Sequence, residues 1–197
     1  MLYEINRFFN HLIRPGRNHP EPRRSERGLT LAEALMVLIV SGVVVAAVVY
    51  MFRSAMSSNS ANRTLEDVMT IAGKVKELYA TQSSYGNQDL TNALRDANLL
   101  PGHMVDARGN QIRNAFGGNV TVRGRNDQFE IQFTGIPKDA CTKLSTQADA
   151  TSWAQVQING RQFQRQSLPV DPVQAAQSCS RDGQGQNGGN QITWMAY

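Results

Sequence analysis

Apolar positions along this chain fall into three regimes. Residues 34–52, ALMVLIVSGVVVAAVVYMF, run for 19 positions without a charge, interrupted only by Ser41. Such a run is apolar on every side of a helix, whereas a helix of a soluble core carries a polar stripe. At 1.5 Å per residue it spans about 28 Å, close to the roughly 30 Å of a bilayer core. Past residue 60 the pattern changes. Ala61, Leu65, Val68, Ala72, Val75 and Tyr79 follow at alternating spacings of four and three, giving one apolar face. Arg63, Asp67, Thr70, Lys74 and Glu77 are assigned to the opposite face. No proline occurs between Pro22 and Pro101. The two patterns therefore predict one helix from about Leu29 to about Ala80, roughly 78 Å long.

Beyond residue 80 the period drops to two. Residues 81–118 read as loop, with a short helix near Asp89–Leu99 that Pro101-Gly102 ends. NVTVR (119–123) and QFEIQFT (128–134) read as strands around a turn at Gly124–Asp127. Phe129, Ile131 and Phe133 alternate with Glu130 and Gln132, so one face is buried. Pro137–Leu144 opens a further helix. WAQVQI (153–158) and RQFQRQ (161–166) flank Asn159-Gly160, a hairpin turn. QITWMAY (191–197) supplies a last strand. The fold class is α+β: a long N-terminal helix packed against an antiparallel sheet.

Charge adds a direction. The chain has 197 residues and a net charge of +4. Residues 1–28 hold six arginines against three glutamates, a net of +3, leaving +1 for the remainder. The folded part has no basic face, so nucleic acid is not an expected partner. Arg14, Arg17, Arg23, Arg24 and Arg27 precede the apolar run, while only Arg53 and Arg63 follow it closely. The positive-inside rule then keeps the N-terminus in the cytoplasm and exports the rest. Cys141 and Cys179 both lie in the exported part, where an oxidising compartment lets them pair. Residues 1–13 place Leu2, Ile5, Phe9 and Leu12 on one side of a short helix that touches a membrane surface; a frayed cytoplasmic tail is the simpler alternative. Residues 14–28, with three prolines among charges, read as disordered.

Several motifs fail their chemical context. GQGQNG (183–188) matches a dinucleotide loop letter for letter, but no strand precedes it and no helix follows. It reads as a surface loop, and no cofactor is expected. The exported part has one histidine, His103, which reads as a solvated side chain rather than the base of a nucleophile. Two cysteines and one histidine are too few for a zinc site. Glu66-Asp67 reads as a solvated pair on the helix surface. No catalytic residues emerge, and an enzyme is not expected.

Glu33 stands apart. It is an ionisable group at the mouth of the apolar run, directly after an arginine-rich segment. Thr30 and Glu33 have the spacing of a capping box, and a carboxylate snorkelling at the interface is a second structural account. Neither explains the Arg27-Gly28 just before it, nor a helix that continues far past the membrane.

Those residues carry a resemblance. RG followed by LTLAEALMVLIVSGVVVAAVVYMF resembles the class III signal of type IV pilins, and the long leader and Leu29 resemble the type IVb subclass. NAFGGNVTV (114–122), FEIQFTGIPKDACTKL (129–144) and a second cysteine near the end are similar to major pilins of conjugative thin pili and bundle-forming relatives. The resemblance covers most of residues 22–197 and is most specific at its N-terminal end. It implies the type IV pilin fold and a structural role. It also implies cleavage after Gly28 by a prepilin peptidase, which then methylates the amine of Leu29. Gly42 falls where pilins often carry a helix-loosening glycine. The proline many of them have eight residues later is replaced by Tyr50, which weakens the case for local helix melting.

On this resemblance residues 1–28 are a cytoplasmic leader, 29–52 a transmembrane and filament-core helix, and 53–197 the globular domain. The precursor sits in a bacterial inner membrane with one pass, and the mature subunit in an extracellular filament. Its partners are copies of itself, the peptidase/methyltransferase and the inner-membrane assembly machinery. Glu33 becomes the assembly residue, set against the Leu29 amine of a neighbour, because an unpaired carboxylate in a low-dielectric bundle is costly and a paired one tolerable. Two alternatives stay open: a pseudopilin of a secretion system, and a bitopic membrane protein with an exported binding domain that keeps residues 1–28.

Overall fold

A computed structural model of the chain describes residues 30–106, 111–183, 185 and 188–197, less the side chains of residues 53–55. The expectations for residues 1–28, for Leu29, and for Gln184, Gln186 and Asn187 of the glycine-rich motif lie outside the described residues. The chain divides into two units, Met1–Val45 and Ala46–Tyr197.

Helix α1 runs over Leu31–Leu78. Its proline-free sequence and its N-terminal Thr30–Glu33 pair account for its start and its continuity. In the second unit a short α2 (Thr91–Asp96) and a 3-10 turn (Gly102–Met104) lead to β1 (Val120–Arg125) and β2 (Gln128–Ile136). There follow α3 (Lys138–Thr146), the hairpin β3 (Gln155–Ile158) and β4 (Arg161–Gln164), α4 (Pro172–Ser178) and β5 (Asn190–Ala196). The α+β class expected from the sequence is thus what the chain forms.

All strand pairs are antiparallel, and the sheet order is β1-β2-β5-β3-β4. The last strand in sequence is therefore the central one, between β2 and β3. Two asparagines, buried Asn190 and half-buried Asn159, fix its entry. Asn190 donates to the carbonyls of Ile136 and Arg181 and accepts from the Arg181 N–H and the Asn159 amide. Asn159, left-handed at φ 51° in the β3–β4 turn, also donates to the Ser178 carbonyl and accepts from the Gln191 N–H. The Asn159-Gly160 turn therefore both closes the hairpin and ties it to β5. Gly135 sits at the bulge of β2 with φ 72°, where a Cβ would come within 2.2 Å of the Gly185 carbonyl oxygen. Gly185 and Gly189 of the glycine-rich segment thus pack on β2.

One core runs through the second unit. Val68, Ile71 and Val75 of α1 are inaccessible, as are Val122, Phe129, Ile131, Phe133, Val156 and Trp194 of the sheet. Each such side chain contributes about 1.5–3 kcal/mol through burial. Trp194 meets Phe133 edge-on at 5.6 Å, and Tyr85 bridges Tyr79 and Phe129 at 5.2 and 5.0 Å.

The buried face of α1 differs from the face expected. It is centred on Thr64, Val68, Ile71 and Val75, while Leu65 and Tyr79 lie at its margin. Asp67, assigned above to a solvated surface, is buried, and only Glu66 of that pair is exposed. The reason is a donor from elsewhere in the chain: His103 Nε2 stands 3.0 Å from Asp67 Oδ2. His103 is likewise not simply solvated; it fastens the 3-10 turn to the helix. A buried carboxylate is tolerated when a partner of this kind reaches it.

Candidate assembly surface

At the start of α1, Thr30 and Glu33 bond reciprocally. The Glu33 N–H donates to Thr30 Oγ1 at 3.3 Å, while the Thr30 N–H and hydroxyl both donate to Glu33 Oε2 at 3.0 Å. This is the capping box foreseen from the spacing, and it satisfies orphan donors of the first turn. It engages a single carboxylate oxygen. Oε1 makes no bond among the described residues, so the cap leaves Glu33 able to receive a further donor. Gly28 and Leu29 lie outside the described residues.

From there the surface is apolar without interruption. Every residue from Leu31 to Val45 in the first unit is exposed, and so is every residue from Ala46 to Phe52 in the second. Val40 is 62% exposed and Phe52 64%. Exposed side chains of this kind each forgo about 1.5–3 kcal/mol that burial would return. Contiguous apolar surface on this scale marks a lipid or protein contact. The helix is long and apolar enough to cross a membrane. Gly42 has nothing within 4 Å of the place a Cβ would occupy, so a second helix can approach its backbone closely. Ser41 does not break the surface, because its hydroxyl donates back to the Leu38 carbonyl at 2.9 Å.

The other paired residues lie in the second unit. Cys141 of α3 and Cys179, just past α4, form a disulfide with Cα atoms 5.8 Å apart and a sequence separation of 38. The partner helix α4 is not among the elements expected from the sequence. Its signal is present in the sequence: Asp171 accepts from the Val173 and Gln174 N–H groups, and Pro172 occupies the first helical position. Asp149 similarly holds the turn before Trp153. Its carboxylate accepts from the hydroxyl and N–H of Thr151 and from the Ser152 N–H, which hold its pKa below the usual value. Among the described residues no three of His, Cys, Asp and Glu gather as a metal-binding group.

Comparison with known proteins places this geometry. A family described as PilS N terminal matches residues 58–196. The major structural subunit of bundle-forming pilus from Escherichia coli O127:H6 is 28% identical over 173 residues, which is 80% of this chain and 89% of that protein. The subunit of the same description from Escherichia coli O111:H- gives the same figures. Among solved structures, TcpA, a type IV pilin from Vibrio cholerae El Tor biotype, aligns with a TM-score of 0.47 and 11% identity over 71% of this chain and 99% of its own. With its family matched over most of its length, the chain belongs to the PilS N-terminal family and is a type IVb pilin.

Proposed function

We propose that the chain is the precursor of a major pilus subunit. Residues 1–28 form a cytoplasmic leader that a prepilin peptidase removes after Gly28, and the new amine on Leu29 is methylated. Residues 29–52 first anchor the subunit in the inner membrane and then pack with copies of themselves as the filament core. Residues 53–197 form the domain carried on the filament surface outside the cell. The observation that carries this reading is the apolar helix surface from Leu31 to Phe52, exposed at every position, with Glu33 at its start. A leader of six arginines is incompatible with an apolar bundle, which explains why it has to be cut away. Glu33 then neutralises the Leu29 amine of a neighbouring subunit and sets the axial register. The two Escherichia coli relatives are major pilus subunits, and this supports the same role here.

The mass and N-terminal sequence of the purified protein test the reading. The expected N-terminus is methylated Leu29. Met1 in the mature protein, with no filaments on the cell, would sink it in favour of a bitopic membrane protein. Short filaments confined to the periplasm would favour a pseudopilin.

A further inference from the structure

Helix α1 leaves its apolar run at Phe52, and a groove of about 650 Å³ lies one turn beyond. Met56, Ser57 and Ser60 of α1 line it together with Phe116, Pro137 and Gly183. Met56 stands four residues past Phe52, about 6 Å further along the axis, and its side chain leans back toward the helix start. A bilayer core of roughly 30 Å is flanked by headgroup zones of about 5–7 Å on each side. With residues 34–52 in that core, the groove begins at the level of the headgroups.

The loop that brings Phe116 to this level is closely tied down. Asn114 is buried, and its Oδ1 accepts from the Phe116 and Gly118 N–H groups at 2.9 and 3.1 Å. Its Nδ2 donates to the Thr134 carbonyl at 2.7 Å. At Gly118 a Cβ would fall 1.8 Å from that carbonyl oxygen, so glycine lets the loop press onto β2. The tight turn around Asn114 leaves Phe116 half-buried beside the groove. The Pro137 side is tied to α1 as well. The Ser57 hydroxyl donates to Asp139 Oδ2 at 2.5 Å, in the first turn of α3. Two loops far apart in sequence are thus held at a fixed height on the helix, just past its apolar run.

That height and that chemistry fit one partner. Met56 is 57% exposed and extends the apolar run by a turn. The exposed charges flanking the loops are Lys138 and Arg181 against Asp139 and Asp182, and they cancel. What the groove offers is a ring, a thioether and a proline among hydroxyls and backbone, the amphipathic mixture suited to a membrane interface. We propose that this end of the domain rests on the lipid surface of the membrane that holds α1, with Phe116 and Met56 set at headgroup level. The domain is then seated on the bilayer and does not swing freely on its helix. The proposal rests on the anchoring reading given above. Because the flanking charges cancel, zwitterionic lipid suffices, and salt that screens ionic contacts does not lift the domain.

The test places an added tryptophan beside the groove of the full chain, reconstituted in phosphatidylcholine vesicles whose acyl chains carry bromine close to the headgroup. The native Trp153 and Trp194 are 1% and 0% exposed and supply a constant background. Phe116→Trp is one reporter. Lys138→Trp, at an exposed position, is a second that leaves the Asn114 loop untouched. Tyr197→Trp is the distant control. Tyr197 follows Ala196, which pairs with Phe129, and that ring stacks through Tyr85 onto Tyr79, about 40 Å beyond Phe52 along α1. The expected result is quenching of both groove reporters by brominated lipid, equal at low and high salt, and none of the control. Groove reporters quenched no more than the control would overturn the proposal, and so would quenching that high salt abolishes. Emission from Phe116→Trp that shifts to the blue as the chain-to-lipid ratio rises, without quenching, would give the groove to a second copy instead. A chain that does not float with the vesicles would overturn the anchoring reading, and this proposal with it.

Discussion

Two stretches of the one helix α1 differ in composition and in what becomes of their apolar side chains. Between Leu31 and Phe52 the side chains are more apolar, yet not one is buried. Between Ala61 and Val75 the sequence is mixed, yet Val68, Ile71 and Val75 are wholly enclosed. Hydrophobicity alone therefore does not say what a segment contributes to folding; the presence of a partner within the chain does. The second stretch has its partner in the sheet. The first has none within the described residues, and on the function proposed above its burial is deferred to lipid or to other copies. A segment that stores unburied apolar surface is an assembly element, and a segment that has spent it is a folding element.

The largest disturbance that leaves both stretches chemically intact is loss of the Cys141–Cys179 bond. Closing a loop of this size stabilises the fold by about 4 kcal/mol in the chain-entropy model. Reduction, or Cys141→Ala with Cys179→Ala, is expected to bring the denaturant midpoint of the purified chain in detergent down sharply. Proteolysis should open the segment between the two cysteines first. The helical content of residues 31–52 should persist, since every one of those residues is exposed. A midpoint unmoved by reduction would show that the folding half of the comparison does not depend on this staple.

Next comes Ile71→Ala. Ile71 is fully enclosed at the centre of the buried face, and truncation there costs about 3 kcal/mol in lost transfer energy and cavity. The melting midpoint should fall by roughly 6–12 °C. A fall of only a degree or two would mean that α1 and the sheet are less tightly joined than their shared core indicates.

How far these roles can be read from the sequence differs between the two stretches. The exposed apolar character of residues 31–52 is legible in the sequence, because a run apolar on every side is a local property that needs no knowledge of the fold. The strands and the Asn159-Gly160 hairpin are legible for the same reason, since period two and a two-residue turn are written over a few positions. The folding stretch is legible only in outline. Its rotation about the helix axis depends on what packs there, so Ile71 and Thr64 fall inside while Leu65 slips to the margin. Asp67 looks like surface until His103, 36 residues away, is brought beside it. The central place of β5 depends on strand order and register, which join residues from β2 to the C-terminus. α4 is a different case, since Asp171-Pro172 marks a helix start over adjacent residues.

Thr64 probes the buried face of α1 in the stabilising direction. Its hydroxyl is buried and has no hydrogen-bond partner among the described residues. Replacing an unsatisfied buried group by an apolar one of the same shape removes a desolvation cost, so Thr64→Val should raise stability by about 1 kcal/mol. A rise of the melting midpoint by roughly 2–4 °C is the expected readout. A drop would mean that the hydroxyl has a partner, such as an ordered water, and that the folding face of α1 is more polar than its packing implies.

The smallest effect on the folded domain is expected from Leu38→Ala. Leu38 is 66% exposed, so its truncation removes no packing within the chain, and the denaturant midpoint of the detergent-solubilised protein should move by less than about 0.5 kcal/mol. The same truncation removes three carbons from a surface whose burial is deferred. At about 0.8 kcal/mol per methylene, roughly 2 kcal/mol per subunit should be missing once a partner helix covers the site. Filaments of Leu38→Ala should therefore dissociate in detergent or on heating well before the parent, although their domains unfold at the same midpoint. A coincident shift in both measurements would break the division drawn between the two stretches, because it would place Leu38 in the folding core. No shift in either would place Leu38 outside the subunit contact and move that contact to the opposite face of the helix.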